Sequence, residues 1–169
     1  MKGDYQKKIE AQFLIAYDDL ADSLFRHCYF KVGDKEKAKD IVQETFMKTW
    51  NSLVSGEVIL NLKAYLYKVA NNLIIDFYRK KKESSLDSLT DEGFDVADDS
   101  QRQTIHQAEV TVLREAIGKL EDQFREVVSM RYVSGLSPQE IATVLGESEN
   151  AVSVRINRGV KKLKEQLHL

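Results

Sequence analysis

Ser137-Pro138-Gln139-Glu140-Ile141-Ala142-Thr143-Val144-Leu145-Gly146-Glu147-Ser148 decides how the C-terminal third of this chain folds. Serine at an N-cap, proline at the first helical position and glutamate at the third form a capping box, so a helix starts here. Ile141, Ala142 and Leu145 give that helix an apolar face. Gly146 ends it, and Ser148 caps another helix two residues later. Two short helices joined through a glycine turn make a helix-turn-helix.

The second helix of the pair is read by angle, at about 100° per residue. Val152, Ile156, Val160, Leu163 and Leu167 fall within an arc of about 80°, which is the stripe to bury. Asn150, Val154, Asn157, Arg158 and Lys161 occupy the opposite face. Asparagine and arginine read base edges in the major groove through paired hydrogen bonds, whereas lysine usually meets phosphate. Arg155 lies on the flank, where a phosphate contact and an intramolecular ion pair are equally open. A solvated amphipathic helix can carry a similar basic face; the capped pair of helices ahead of this one favours the DNA reading.

Working outward toward the N-terminus, helical periodicity runs through most of residues 5–82. It predicts about four helices, near 5–17, 18–32, 35–53 and 61–82, with breaks at Gly33-Asp34 and Ser55-Gly56. From Ser84 the pattern collapses into Ser, Asp, Thr and Gly, too acidic and too poor in large apolar residues to pack a core. Periodicity returns near Ile105. The expected class is therefore all-α: an N-terminal helical domain over 5–83, a flexible acidic linker over 84–104, and a helix-turn-helix domain over 105–169.

In the helix near 61–82, Leu62, Leu66, Val69, Leu73 and Phe77 share one narrow face. Tyr67, Lys68, Asn71, Ile75, Tyr78, Arg79 and Lys82 occupy the other, with Tyr65 and Asn72 beside it. Rings interleaved with amides and cations suit single-stranded DNA, each ring offering a stacking platform worth roughly 1–3 kcal/mol per base. An asparagine beside a tyrosine could also grip a base swung out of the stack. Tyrosines that half-cover the core, beside ordinary solvated charge, fit the helix equally well. In the helix near 35–53, Asp40, Gln43, Glu44 and Met47 line the outer side. An adaptable methionine among acids and amides there suits a protein-binding surface, but from this helix alone the common case of a stray exposed methionine is favoured.

Charge adds to this. The 169 residues carry a net charge of −2, which alone argues against a nucleic-acid binder. The distribution argues otherwise. Lys63, Lys68, Arg79, Lys80, Lys81 and Lys82 face only Asp76 within 60–82, and Arg155, Arg158, Lys161, Lys162 and Lys164 face only Glu165 within 151–169. Between them, residues 84–109 hold seven acids and one base, Arg102. Two basic helices flanking an acidic strip are concealed in the total.

Other classes fare poorly. The longest wholly apolar run is the five residues Phe13 to Tyr17, far short of the ~20 that span a bilayer. No signal-peptide pattern is read at the N-terminus, and one cysteine forms no internal disulfide, so a cytoplasmic protein is expected. His27 and Cys28 are neighbours and cannot share a helical face, while His106 and His168 lie apart. No metal-ligand spacing, phosphate-cradling glycine loop or nucleophile–base set is present, so neither an enzyme nor a cofactor is expected.

Asp40-Ile41-Val42-Gln43-Glu44-Thr45-Phe46, then Tyr65-Leu66-Tyr67-Lys68-Val69-Ala70-Asn71-Asn72 and the trailing Arg79-Lys80-Lys81, resemble region two of bacterial sigma factors. Phe124-Arg125-Glu126-Val127-Val128, through Glu140-Ile141-Ala142 to Val152-Ser153-Val154-Arg155-Ile156-Asn157-Arg158, is similar to region four. The short length, with only these two regions, matches the extracytoplasmic-function group of the sigma-70 family. The resemblance implies a factor that brings RNA polymerase core to promoter DNA and nucleates melting. Asp40, Gln43, Glu44 and Met47 would dock on the polymerase clamp. Tyr65, Tyr67, Lys68, Asn71 and Asn72 would hold the melted minus-ten strand, and Arg79, Lys80 and Lys81 its backbone. Asn150, Ser153, Val154, Arg155, Asn157, Arg158 and Lys161 would meet the minus-thirty-five duplex. An anti-sigma factor that occludes the polymerase-binding faces is a further implied partner. Leu120-Glu121 departs from the family's usual Leu-Pro, Asn150-Ala151 from its common Gly-Thr, and Tyr65 from a frequent tryptophan. A helix-turn-helix repressor is the competing reading; it would need a dimer on a two-fold operator.

Overall fold

Residues Ile9, Phe13, Ala16, Leu20, Leu24 and His27 recur at steps of three or four, and they draw one continuous buried or half-buried stripe along a single helix. In the computed structural model, which describes residues 2–84 and 105–169, this helix is α1 (Lys2–Val32). The two helices expected at 5–17 and 18–32 are thus one. Tyr17-Asp18-Asp19-Leu20 contains no glycine or proline to stop it, and the stripe crosses that point in phase. After Gly33, whose φ of 70° suits a residue without Cβ, Asp34 opens α2 (Lys35–Val54) by accepting a hydrogen bond from the Lys37 amide at 2.8 Å. Thr45 and Thr49 sit fully buried in α2, their hydroxyls donating to the Ile41 and Thr45 carbonyls at 2.7 and 2.8 Å. Asn61 then caps α3 (Leu62–Ser84), its side-chain oxygen accepting from the Ala64 amide at 2.9 Å.

The second unit comprises α4 (Ile105–Gly118), α5 (Asp122–Tyr132), α6 (Pro138–Leu145) and α7 (Glu149–Gln166). Among the described residues there is no strand, and no helix is long and apolar enough to cross a membrane. The acidic stretch 84–104 lies outside the described residues apart from Ser84, the last residue of α3. The capping box at α6 is complete: Ser137 Oγ accepts from the Glu140 amide at 3.1 Å, and Glu140 Oε2 accepts from the Ser137 amide at 2.8 Å. Gly146 closes α6 in the left-handed region at φ 69°, and Ser148 caps α7. Glu121, ahead of α5, holds φ −54° without a capping side chain. That angle is close to what a proline ring would fix, so the departure from Leu-Pro leaves the local backbone where the family's proline would put it.

Val152, Ile156 and Leu163 of α7 are buried as the angular reading required. The helix crosses α5 at Gly159, where an added Cβ would lie 2.7 Å from Val128 Cγ2 and 3.3 Å from Phe124 Cβ. Val128 is fully buried and has only one torsion with which to give way. Gly159→Ala should therefore force the two helices apart at about 1–3 kcal/mol, against a gain of about 1 kcal/mol in helix propensity. Thermal melting followed by circular dichroism should show a lower midpoint; an unchanged or higher one would mean that the crossing has slack.

Candidate polymerase and nucleic-acid interfaces

The outer side of α2 carries the predicted protein-binding set. Asp40, Gln43, Glu44 and Met47 are all exposed, Met47 to 58%. Their helix is held from behind by an aromatic seam: Phe13 of α1 lies 5.9 Å from Phe46 and 5.1 Å from Trp50 between ring centroids, and Tyr17 lies 4.8 Å from Phe46. Between α1 and α2 this seam floors an open groove of about 710 Å³, with Met47, Leu14 and Gln43 on its walls. The contribution of α1 was not anticipated. Leu14, Ile15 and Tyr17 are each about half exposed or more. The signal was the run Phe13 to Tyr17, apolar around more than one full turn, which leaves part of it facing outward whichever side is buried.

The α3 helix departs from expectation. Leu66, Ala70, Ile74, Tyr67, Asn71 and Ala64 are all buried, and together they sweep about 160° of its circumference. One side of that arc packs on α1 and α2; the other packs on α6. Tyr67, expected on the open face, is instead fully covered, and Asn71 is only 6% exposed. The reason is the second helical unit, which lies over this part of α3. Lys68, Asn72, Arg79, Lys80 and Lys81 are exposed as read, and Tyr65 is half-buried. The Tyr65 hydroxyl lies 2.9 Å from Ser52 Oγ and donates to Glu57 at 3.1 Å, which fixes its ring beside Lys68 and Asn72. Arg79 pairs with Asp76 at 3.1 Å, but both side chains remain largely in solvent, so the pair constrains it little.

Around Tyr67 the buried polar groups are specific. His27 Nδ1 lies 2.7 Å from Ser134 Oγ, and its ring meets that of Tyr67 edge-on at 5.0 Å. Burial, with the Lys31 charge adding to it, holds the imidazole well below its ordinary range, so His27 is neutral near pH 7. Lys31 donates to Asn71 Oδ1 at 2.6 Å. Burial likewise lowers the Lys31 ammonium, against an opposing pull from Glu126. Cys28 is buried too, and burial pushes its thiol up to about 12. A thiol so protonated is a poor nucleophile at neutral pH, which disposes of His27-Cys28 as a reactive pair.

On α7, Asn150, Val154, Asn157, Arg158 and Lys161 are all exposed, and Ser153 is half-buried. The ambiguity over Arg155 resolves toward the internal pair: its Nη2 lies 2.9 Å from both carboxylate oxygens of Glu147. Arg155 thereby ties α7 to the turn before it. Lys162 reaches back to Glu121 at 2.5 Å and covers the Phe124 ring at 5.0 Å. The outward cations of this helix are then Arg158, Lys161 and Lys164. Among the described residues no cluster of histidine, cysteine and carboxylates is placed to hold a metal ion.

Comparison with known proteins agrees with both halves. The sigma-70 region 2 family profile matches residues 16–84, and the sigma-70 region 4 profile matches residues 111–163. The chain is 31% identical over 160 residues to the ECF RNA polymerase sigma factor SigW of Bacillus subtilis, covering 89% of this chain and 86% of that protein. It is 30% identical over 149 residues to the ECF RNA polymerase sigma factor SigL of Mycobacterium tuberculosis, covering 88% and 84%. In fold it resembles the sigma factor RpoE of Bartonella quintana, solved with the anti-sigma factor NepR, at a TM-score of 0.71 and 23% identity over 94% of this chain and 98% of that one. CnrH, solved with the cytosolic domain of CnrY, gives 0.68 and 24%, over 94% and 89%.

Proposed function

Because the chain belongs to the extracytoplasmic-function group of the sigma-70 family, and so directs RNA polymerase to promoters in transcription initiation, we propose that three of its helices divide that task. Asp40, Gln43, Glu44 and Met47 of α2 dock on the polymerase core. Tyr65, Tyr67, Lys68, Asn71 and Asn72 of α3 hold unpaired bases of the minus-ten element, with Arg79, Lys80 and Lys81 along the backbone. Asn150, Ser153, Val154, Asn157, Arg158 and Lys161 of α7 meet the minus-thirty-five duplex; Arg155 stiffens that helix through Glu147 and is left to touch phosphate at most. One observation carries the reading: a single chain presents an apolar-acidic face, an aromatic-amide-cation face and an amide-cation face on separate helices.

The division of labour follows from chemistry. Stacking and amide contacts select unpaired bases, whereas a helix with outward asparagine and arginine fits an intact major groove. Few outward cations on a net-acidic chain release few counterions, so the free protein binds duplex DNA weakly and depends on polymerase for affinity. On this reading the protein is an initiation factor without catalysis of its own, working in the cytoplasm beside polymerase and promoter DNA. The solved relative RpoE is bound to an anti-sigma factor; a protein of that kind seated on the α1–α2 groove would block the docking face here.

Arg158→Ala tests the duplex assignment. It should lower transcription from a promoter bearing an upstream element by about 10- to 100-fold, the loss of one base or phosphate contact worth roughly 1–3 kcal/mol. A promoter without that element should respond little. An equal fall on both templates would remove Arg158 from the recognition surface.

A further inference from the structure

At the end of α2 the chain turns so that two polar side chains converge on one phenol. Ser55 caps the helix, and Gly56 follows at φ 91°, in the left-handed region. The Gly56 amide donates to the Leu53 carbonyl at 3.2 Å and the Glu57 amide to the Ser52 carbonyl at 3.0 Å, the paired bonds of a Schellman turn. Glu57 is thereby fixed against the last turn of α2, beside Ser52. In the first turn of α3, the Tyr65 hydroxyl lies 2.9 Å from Ser52 Oγ and 3.1 Å from Glu57 Oε2.

The hydrogen-bond roles follow from the groups themselves. A carboxylate only accepts, so the single phenol proton goes to Glu57, and the Ser52 hydroxyl donates to the phenol oxygen. Tryptophan, frequent at this position in the family, has one N–H and no acceptor, so it could not use both partners. The pair is matched to tyrosine.

We propose that Ser52 and Glu57 are positioning residues for Tyr65, holding its ring in the attitude in which unpaired minus-ten bases stack on it. The proposal rests on the assignment of Tyr65 to the melted strand. Two further observations favour it. Glu57 is exposed, and a carboxylate beside a surface meant for a polyanion repels it, so its place there is explained by the phenol proton that it accepts. Tyr65 is only half-buried, so packing alone leaves its torsions less restricted than in a core, and the two contacts at the ring tip supply the constraint. A ring already held in place loses less freedom on stacking than a loose one.

The test uses holoenzyme reconstituted from the full chain and polymerase core, on a promoter selected with the parent from a randomised template pool. Permanganate reactivity reads opening, a fluorescence titration reads docking on core, and thermal melting reads the fold. Glu57→Ala and Ser52→Ala should each lower opening about 3- to 10-fold, the scale of one net hydrogen bond, with docking within about twofold and a melting midpoint close to the parent's. Glu57→Gln should recover opening to within about twofold, because its amide oxygen also accepts from the phenol. Alanine and glutamine remove the same charge, so the difference between them isolates the acceptor. In a Tyr65→Phe background, which has no hydroxyl to hold, adding Glu57→Ala should bring no further loss. Equal losses with alanine and glutamine, or an undiminished loss in the phenylalanine background, would overturn the proposal. Parental opening in the Ser52 and Glu57 variants, with Tyr65→Ala impaired, would overturn it and leave Tyr65 on the strand. Parental opening in Tyr65→Ala would overturn that assignment and the proposal with it.

Discussion

Replacing Asn72 with alanine should cut promoter opening by about 10- to 100-fold while leaving affinity for polymerase core within about twofold. The side chain is exposed on α3 beside Tyr65 and Lys68, so its removal should alter fold stability by less than about 0.5 kcal/mol. An amide that pairs with an unstacked base in a site shielded from water contributes roughly 1–3 kcal/mol, and each 1.4 kcal/mol is about tenfold. Permanganate reactivity of thymines in the melted segment reads opening, and a fluorescence titration with core reads docking. Equal losses in both would show that Asn72 supports the fold or the docking face rather than the strand.

The double charge reversal Asp40→Lys with Glu44→Lys should weaken binding to core by at least about 100-fold. Interface charges that face a complementary partner become repulsive on reversal, and central docking residues reach about 2–4 kcal/mol each. The price in stability is small. Both side chains are exposed, and the pair lost among the described residues, Glu44 with Lys48 at 3.6 Å, is an exposed i,i+4 contact worth about 0.3–0.5 kcal/mol. A melting midpoint close to that of the parent, together with loss of core binding on a native gel, is the expected outcome. Retained affinity would move docking elsewhere, most directly to the α1 side of the groove, where Leu14 and Tyr17 stand exposed.

The helix-turn-helix was legible to the residue because its signals are local. A capping box, a left-handed glycine and a second cap are set by neighbours within a few positions, and Ser137, Gly146 and Ser148 each behave as read. The α7 helix was legible for a related reason: its apolar stripe and its outward amides and cations follow from angle alone. Where the reading failed, the deciding partner was distant in sequence. Nothing within reach of Tyr67 announces Ser134, which meets it from 67 positions away, and so an aromatic that looked outward turned out buried. Periodicity had left that residue open between core and strand. Arg155 was likewise undecided until Glu147 was found within 2.9 Å. The division of 5–32 into two helices erred differently, by reading a break into a polar stretch that holds nothing able to stop a helix.

Affinity for polymerase core is the property on which every assigned surface depends. Purified core, titrated against the fluorescently labelled chain at about 0.15 M salt, should bind it stoichiometrically with a dissociation constant in the nanomolar range, and the resulting complex should start transcription on promoter templates that neither component uses alone. A chain that binds specific duplex DNA by itself, as a dimer, and shows no affinity for core would contradict it.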